Sequence, residues 1–131
     1  MTKEAAIAWA AGFFEGEGSI TIAPDLTLIV RASQVDRTPL ERFVALFGGT
    51  IRDKCARGNR KKCWEWNCCG PAAAGLLTLI RPYIVRPRIR ERIELALTFQ
   101  AMKPDRATAR HRRSELKALY DVFKQLNKQG L

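Results

Sequence analysis

Two periodicities alternate along the chain. Residues 2–14 are Ala-rich and apolar behind Thr2, a plausible N-cap, which predicts a helix stopped by Gly16 and Gly18. Residues 19–23 and 26–34 then read as strands, separated by a Pro24-Asp25 turn. In the second strand Leu28, Val30 and Ala32 share one face, while Thr27, Arg31 and Ser33 share the other. Thr38-Pro-Leu-Glu41 reads as a capping box that opens a helix ending at Gly48-Gly49. A second hairpin follows from residues 50–55 and 63–69, around a loop over 56–62. Pro71 starts a short helix ending before Pro82, and a longer one runs over 87–102. Beyond Pro104, a last helix over 108–129 places Leu116, Leu119, Tyr120, Phe123 and Leu126 at core spacing. The order is α-β-β-α-β-β-α with further C-terminal helices. It predicts one α+β domain over residues 1–131, without internal repeat.

Charge adds a partner to that outline. The chain carries 23 Lys and Arg against 13 Asp and Glu, a net +10, clustered at 52–62, 81–92 and 106–113. Such an excess points to a polyanion, most often nucleic acid. No apolar run approaches the ~20 residues of a membrane span. With no basic start and cleavage signal either, an intracellular chain without a membrane partner is expected. Cys55, Cys63, Cys68 and Cys69 contain no Cys-x-x-Cys pair, which argues against a zinc ribbon. Reduced structural thiols are expected, with a Cys55–Cys63 cross-strand disulfide as the alternative. Trp64 and Trp66 read as core, and His111 lies isolated among arginines.

The chemistry concentrates at the end of the first helix. Glu15 and Glu17 lie at the negative end of its dipole, a misplacement of roughly 0.3–1 kcal/mol per charge. A bound divalent cation would more than offset it. Ala8, Gly12 and Gly16 recur every fourth residue and form a bare ridge, widened by Ala5 and Ala11, along which a second helix could approach closely. Two copies packed about a two-fold axis would bring both Glu17 carboxylates side by side, an arrangement that calls for a cation between them.

The segment Ala10-Ala-Gly-Phe-Phe-Glu-Gly-Glu-Gly18 closely resembles the LAGLIDADG motif of homing endonucleases, with glutamates in its acidic positions. The resemblance extends to the element order, to Gln34, Gly48-Gly49, Trp64-Glu-Trp66, and Arg81-Pro-Tyr83 ahead of a basic helix. It implies the family's αββαββα fold, whose four-stranded antiparallel sheet lies in the DNA major groove. A single motif implies a homodimer through the first helix, at Ala8, Ala11, Gly12, Glu15 and Gly16. Glu17 is the implied ligand of catalytic Mg²⁺ (with Mn²⁺ possible and Ca²⁺ a non-catalytic substitute), helped by the Gly16 carbonyl, while Glu15 is the capping or packing acid. Gln34 takes the position of a water-orienting residue. Relatives often have a lysine after the Pro-Tyr element; here Pro87 stands nearest that place, leaving Arg86 or Arg88 for the role.

On the sheet, Thr21, Arg31, Ser33, Arg52, Lys54, Glu65 and Asn67 are residue types that can read base edges. Arg57, Arg60, Lys61 and Lys62 in the second hairpin loop suit phosphate. The resulting expectation is a metal-dependent, site-specific double-strand DNA endonuclease acting on a long pseudo-palindrome. The alternatives on the same scaffold are an RNA-binding intron maturase and a non-catalytic DNA-binding regulator.

Overall fold

The computed structural model describes residues 1–54 and 62–128. Helix α1 (Lys3–Glu17) opens where the Thr2 hydroxyl accepts from Ala5 N at 3.1 Å. It runs straight through Gly16. Gly18 ends it instead, donating its N–H to the Phe14 carbonyl, and a Cβ there would lie 2.2 Å from the Phe14 ring. The helix passes directly into β1 (Gly18–Ile22), so the acidic end of α1 is fixed to the first residue of the sheet.

Next come β2 (Leu28–Gln34), α2 (Thr38–Phe47), β3 (Thr50–Lys54) and β4 (Cys63–Cys69). The four strands form an antiparallel sheet in the order β1-β2-β4-β3. The capping box expected at Thr38–Glu41 does not form. Arg37 holds the N-cap position with no side-chain cap, Asp36 Oδ1 accepts from Thr38 N at 2.9 Å, and Glu41 turns to Arg37 Nε at 3.1 Å. Those hydrogen bonds from Thr38 hold the Asp36 carboxyl below its usual range. At the far end of α2, Gly49 adopts φ +88°, and a Cβ there would meet the Asn67 carbonyl oxygen at 2.4 Å.

The C-terminal part comprises α3 (Gly70–Ile80), a 3₁₀ turn (Arg81–Tyr83), α4 (Pro87–Ala101), α5 (Arg106–His111) and α6 (Arg113–Lys128). The single last helix expected over 108–129 is thus two. Asp105 caps α5 by accepting from Thr108 N at 2.7 Å, and the chain leaves helical geometry at Arg112. No α5 residue is buried, whereas α6 sinks Leu116 and Phe123 into the core. The second half docks through Leu116 and Phe123, whereas of α5 only Ala109 packs partly against the core.

One face of the sheet (Ile20, Ile22, Leu28, Val30, Ala32, Trp66 and Cys68) packs with Phe14, Phe43, Leu76, Leu77, Ile93 and Phe99 of the helices in a single core. Burial drives the Cys68 thiol up to about 12, with Cys69 adding to it, so it is an inert packing group. Cys63, Cys68 and Cys69 are free thiols, and Cys55 lies outside the described residues. No helix among the described residues is long and apolar enough to cross a membrane.

Candidate active site and nucleic-acid interface

Glu15 and Glu17 have separate surroundings. The Glu15 carboxylate accepts from Val85 N at 2.9 Å and from Arg86 N at 3.1 Å, and its carbonyl accepts from Arg86 Nη1 at 3.4 Å. It thereby clasps the segment that leads into α4 to the end of α1. This carboxylate turns toward Val85 and Arg86 and away from Glu17's exposed position. Glu17 is exposed, and among the described residues its side chain has no hydrogen bond or ion pair. Of the carbonyls in the last helical turn, that of Phe14 accepts from Gly18 N and that of Glu15 from Arg86 Nη1, whereas those of Gly16 and Glu17 lie past the last intrahelical donor. A carboxylate and a backbone carbonyl such as that of Gly16 are hard oxygen donors that suit a divalent cation. Among the described residues no three His, Cys, Asp or Glu side chains converge on one point.

The fold gathers the other expected groups at the same end. Gly18 pairs with Ala32 in the β1–β2 ladder, so Gln34, two residues further along β2, stands beside the α1–β1 junction. Its Oε1 accepts from Val35 N at 2.9 Å. Arg86 is delivered there by Glu15, and Arg88 stands exposed in the first turn of α4.

The ridge on α1 is real but differently composed. Gly12 and Gly16 are exposed, with nothing within 4 Å of where a Cβ would stand, and Ala8 is half-buried. Ala11 does not belong to the ridge: it is 0% exposed and faces the protomer's own core.

The outer sheet face carries the expected polar set. Cross-strand pairing aligns Arg31 with Asn67, Ser33 with Glu65 and Arg52 with Glu65, while Thr21 sits opposite Ile29. Glu65 departs from its expected role as a base reader. It is 4% exposed and lies beneath three cations: Arg52 Nη2 at 2.7 Å, Lys54 Nζ at 3.4 Å and Arg31 Nε at 3.9 Å. Burial pushes its carboxyl up, but the Arg52 hydrogen bond and the charges of Arg52, Lys54 and Arg31 outweigh burial and hold it below the usual value. Glu65 is therefore the common counter-charge of the surface, set too deep to reach a base edge.

Lys62 is similarly engaged, with Nζ 3.1 Å from Asp53 Oδ2 and 5.1 Å from the Trp64 ring centroid. Arg57, Arg60 and Lys61 lie outside the described residues. Trp66 is fully buried, its indole N–H donating to the Gly48 carbonyl at 2.9 Å; Trp64 is half-buried under Arg37 and Lys62.

Sequence reasoning missed Arg92. It is 7% exposed and reaches from α4 to Asn127 Oδ1 at 3.2 Å and the Leu126 carbonyl at 2.8 Å, while Asn127 Nδ2 donates to the Ile20 carbonyl at 3.2 Å. This clamp ties α6 to β1. Its one sequence signal was an arginine within the apolar register of Ile89, Ile93 and Ala96.

No protein-family model and no curated protein matches the sequence. Solved structures do. The homing endonuclease I-CvuI, in complex with its target in the presence of Ca, superposes with a TM-score of 0.73 at 21% identity, over 95% of this chain and 83% of that one. I-CeuI, a group I intron-encoded homing endonuclease complexed with DNA, gives 0.71 at 15% identity over 91% and 66%. I-TnaI, a homing endonuclease, gives 0.69 at 12% over 94% and 96%. At these identities the likeness is one of backbone, and it covers most of the molecule: this chain has the fold of the LAGLIDADG homing endonucleases.

Proposed function

We propose that the chain is a homodimeric, divalent-metal-dependent DNA endonuclease that cuts a long pseudo-palindromic duplex site. The observation that carries this reading is the division of labour between the two glutamates at the end of α1. Glu15 is consumed by backbone donors, and Glu17 is left exposed, without a side-chain partner among the described residues, beside a ridge bare enough for a second helix. An exposed helical glycine costs about 1 kcal/mol relative to alanine. Gly12 and Gly16 have no intramolecular contact that requires them, so a helix of a second copy supplies a reason for both.

In such a dimer Glu17 and the Gly16 carbonyl of each copy would hold Mg²⁺ between the two protomers. Bound there, the metal supplies charge stabilisation and an activated water for phosphodiester hydrolysis. The protein's own contributions are positional. Glu15 fixes Arg86 and the start of α4 against the metal-binding end. Arg86 and Arg88 present guanidinium groups to the scissile phosphate, which they can hold through paired N–H donors. Gln34 would turn its amide from Val35 to orient the attacking water. Thr21, Arg31, Ser33, Arg52, Lys54 and Asn67 read base edges, and the two-fold axis makes the two half-sites related by symmetry.

Cleavage of a randomised duplex-DNA library with Mg²⁺, by wild type and by Glu17→Gln, tests the reading. Cuts enriched at one near-palindrome and lost in Glu17→Gln are expected. Tight, salt-sensitive DNA binding with no cutting by wild type would point to a regulator. Preference for structured RNA would point to a maturase.

A further inference from the structure

The basic region 106–113 has counted so far only as bulk charge, yet the fold gives it a shape. The turn between β1 and β2 and the helix α5 enclose an open cleft of about 450 Å³, lined by Asp25, Thr27, Lys103, Arg106, Arg110 and Arg113. Among the described residues, Arg106, Arg110 and Arg113 pair with no carboxylate. Other exposed cations, among them Lys3, Arg90 and Lys124, also have no acidic partner among the described residues; what distinguishes these three arginines is that they line one cleft. Three guanidinium groups around one concavity repel each other, and the Asp25 carboxylate on its wall accepts from Thr27 N and pairs with none of them, so the cleft favours an external anion.

The opposite wall of the cleft is held rigid. Lys103 Nζ donates to the Leu26 carbonyl at 2.5 Å, Leu26 N to the Ala23 carbonyl at 2.8 Å, and Thr27 N to Asp25 Oδ1 at 3.1 Å. These bonds keep the buried Leu26 at φ +67°, a conformation unfavourable for a branched side chain and tolerated where the surroundings over-determine it. The strands that meet at this turn carry Thr21, Arg31 and Ser33. The turn stands one strand length, ~17 Å at ~3.3 Å per residue, from the end of the sheet that holds Glu17.

We propose that this cleft is a phosphate site for the DNA backbone at the outer end of each half-site, with Arg106, Arg110 and Arg113 as its binding groups and Lys103 as its brace. The inference rests on the reading of the chain as a DNA-binding protein and adds an anchor that extends the footprint outward. Phosphate contacts of this kind set register and affinity without specifying sequence.

Two measurements on the full-length protein test it. The first is modification of wild type by an arginine-directed dicarbonyl, read residue by residue by mass spectrometry, with and without a long mixed-sequence duplex. DNA should shield Arg106, Arg110 and Arg113 together with Arg31 and Arg52. The second is the salt dependence of duplex binding by the triple variant Arg106→Gln/Arg110→Gln/Arg113→Gln. The slope of log affinity against log salt should fall by about 0.9 for every phosphate that the variant no longer neutralises. Shielding of Arg31 and Arg52 without Arg106, Arg110 and Arg113, or an unchanged slope, would overturn the cleft while leaving DNA binding intact. Absence of duplex binding by wild type would overturn the underlying reading, and the cleft with it.

Discussion

Glu15, Glu17 and Glu65 are the same residue in three environments, and each environment predicts a different result. Glu15 accepts two backbone N–H groups at 2.9 and 3.1 Å. Hydrogen bonds to a charged acceptor contribute about 1.5–3 kcal/mol. Because this carboxylate is only half-buried, Glu15→Ala should lower unfolding free energy by roughly 2 kcal/mol in a urea titration. Glu17 has no side-chain partner among the described residues and sits at the negative end of α1. Glu17→Gln should therefore abolish cleavage while leaving stability unchanged or raised by up to ~1 kcal/mol, since a misplaced charge is removed. Equal stability losses at the two positions would contradict the assignment.

At Glu65 the ionised form is favoured by folding, so its contribution to stability is complete above its usual value of 4.5 and is lost as pH falls through the lower folded value. Glu65→Gln should be less stable than wild type at neutral pH by about 1–2 kcal/mol, a gap that closes in acid. The cost is moderate because Arg31, Arg52 and Lys54 have side chains 40–63% exposed and can rehydrate. The same variant should bind random duplex more tightly, having gained a unit of positive charge. Its preference for the specific site should fall, because three side chains lose their common anchor. A uniform drop in both affinities would refute the counter-charge role.

Among the elements, α1 has two working ends and one free face. Gly12 has open space where a Cβ would stand. Gly12→Ala should favour the isolated helix by up to ~1 kcal/mol through propensity alone. Gly12→Leu should leave each protomer folded yet shift sedimentation from dimer to monomer, and cleavage should disappear with the dimer. A dimeric Gly12→Leu protein would remove α1 from the interface. This ridge was legible in the sequence because its spacing is local. The inward turn of Ala11 was not, since which alanine of a uniformly small helix faces the core depends on the sheet beneath it. The division of the last helix at Arg112 was hidden for a related reason. Propensity permits a continuous helix, and the docking of Leu116 and Phe123 decides its direction.

For the whole molecule, charge and symmetry act together. The chain carries +10, and the proposed dimer would double this on a single duplex. On the proposed reading, removal of divalent cations by a chelator should stop cleavage while duplex binding persists, because the sheet and its arginines would hold DNA without the metal. Loss of binding in parallel with cleavage would place the cation in the binding surface itself. Affinity should fall steeply with salt at every stage of this experiment.

What the residues determined alone is what rests on short-range order. The apolar and polar periods, the glycine that ends α1 against Phe14, and the crowding of two glutamates at a helix terminus all arise within a few consecutive residues. The tertiary structure decided the matters that depend on distant partners. It set β4 between β2 and β3, and so buried Glu65 under cations from both neighbours. It brought Val85 and Arg86 to Glu15 across some seventy residues of chain. It also folded Arg106, Arg110 and Arg113 against the β1–β2 turn. A carboxylate's role follows from which donors reach it, and donors are chosen by packing of the whole chain rather than by sequence neighbours.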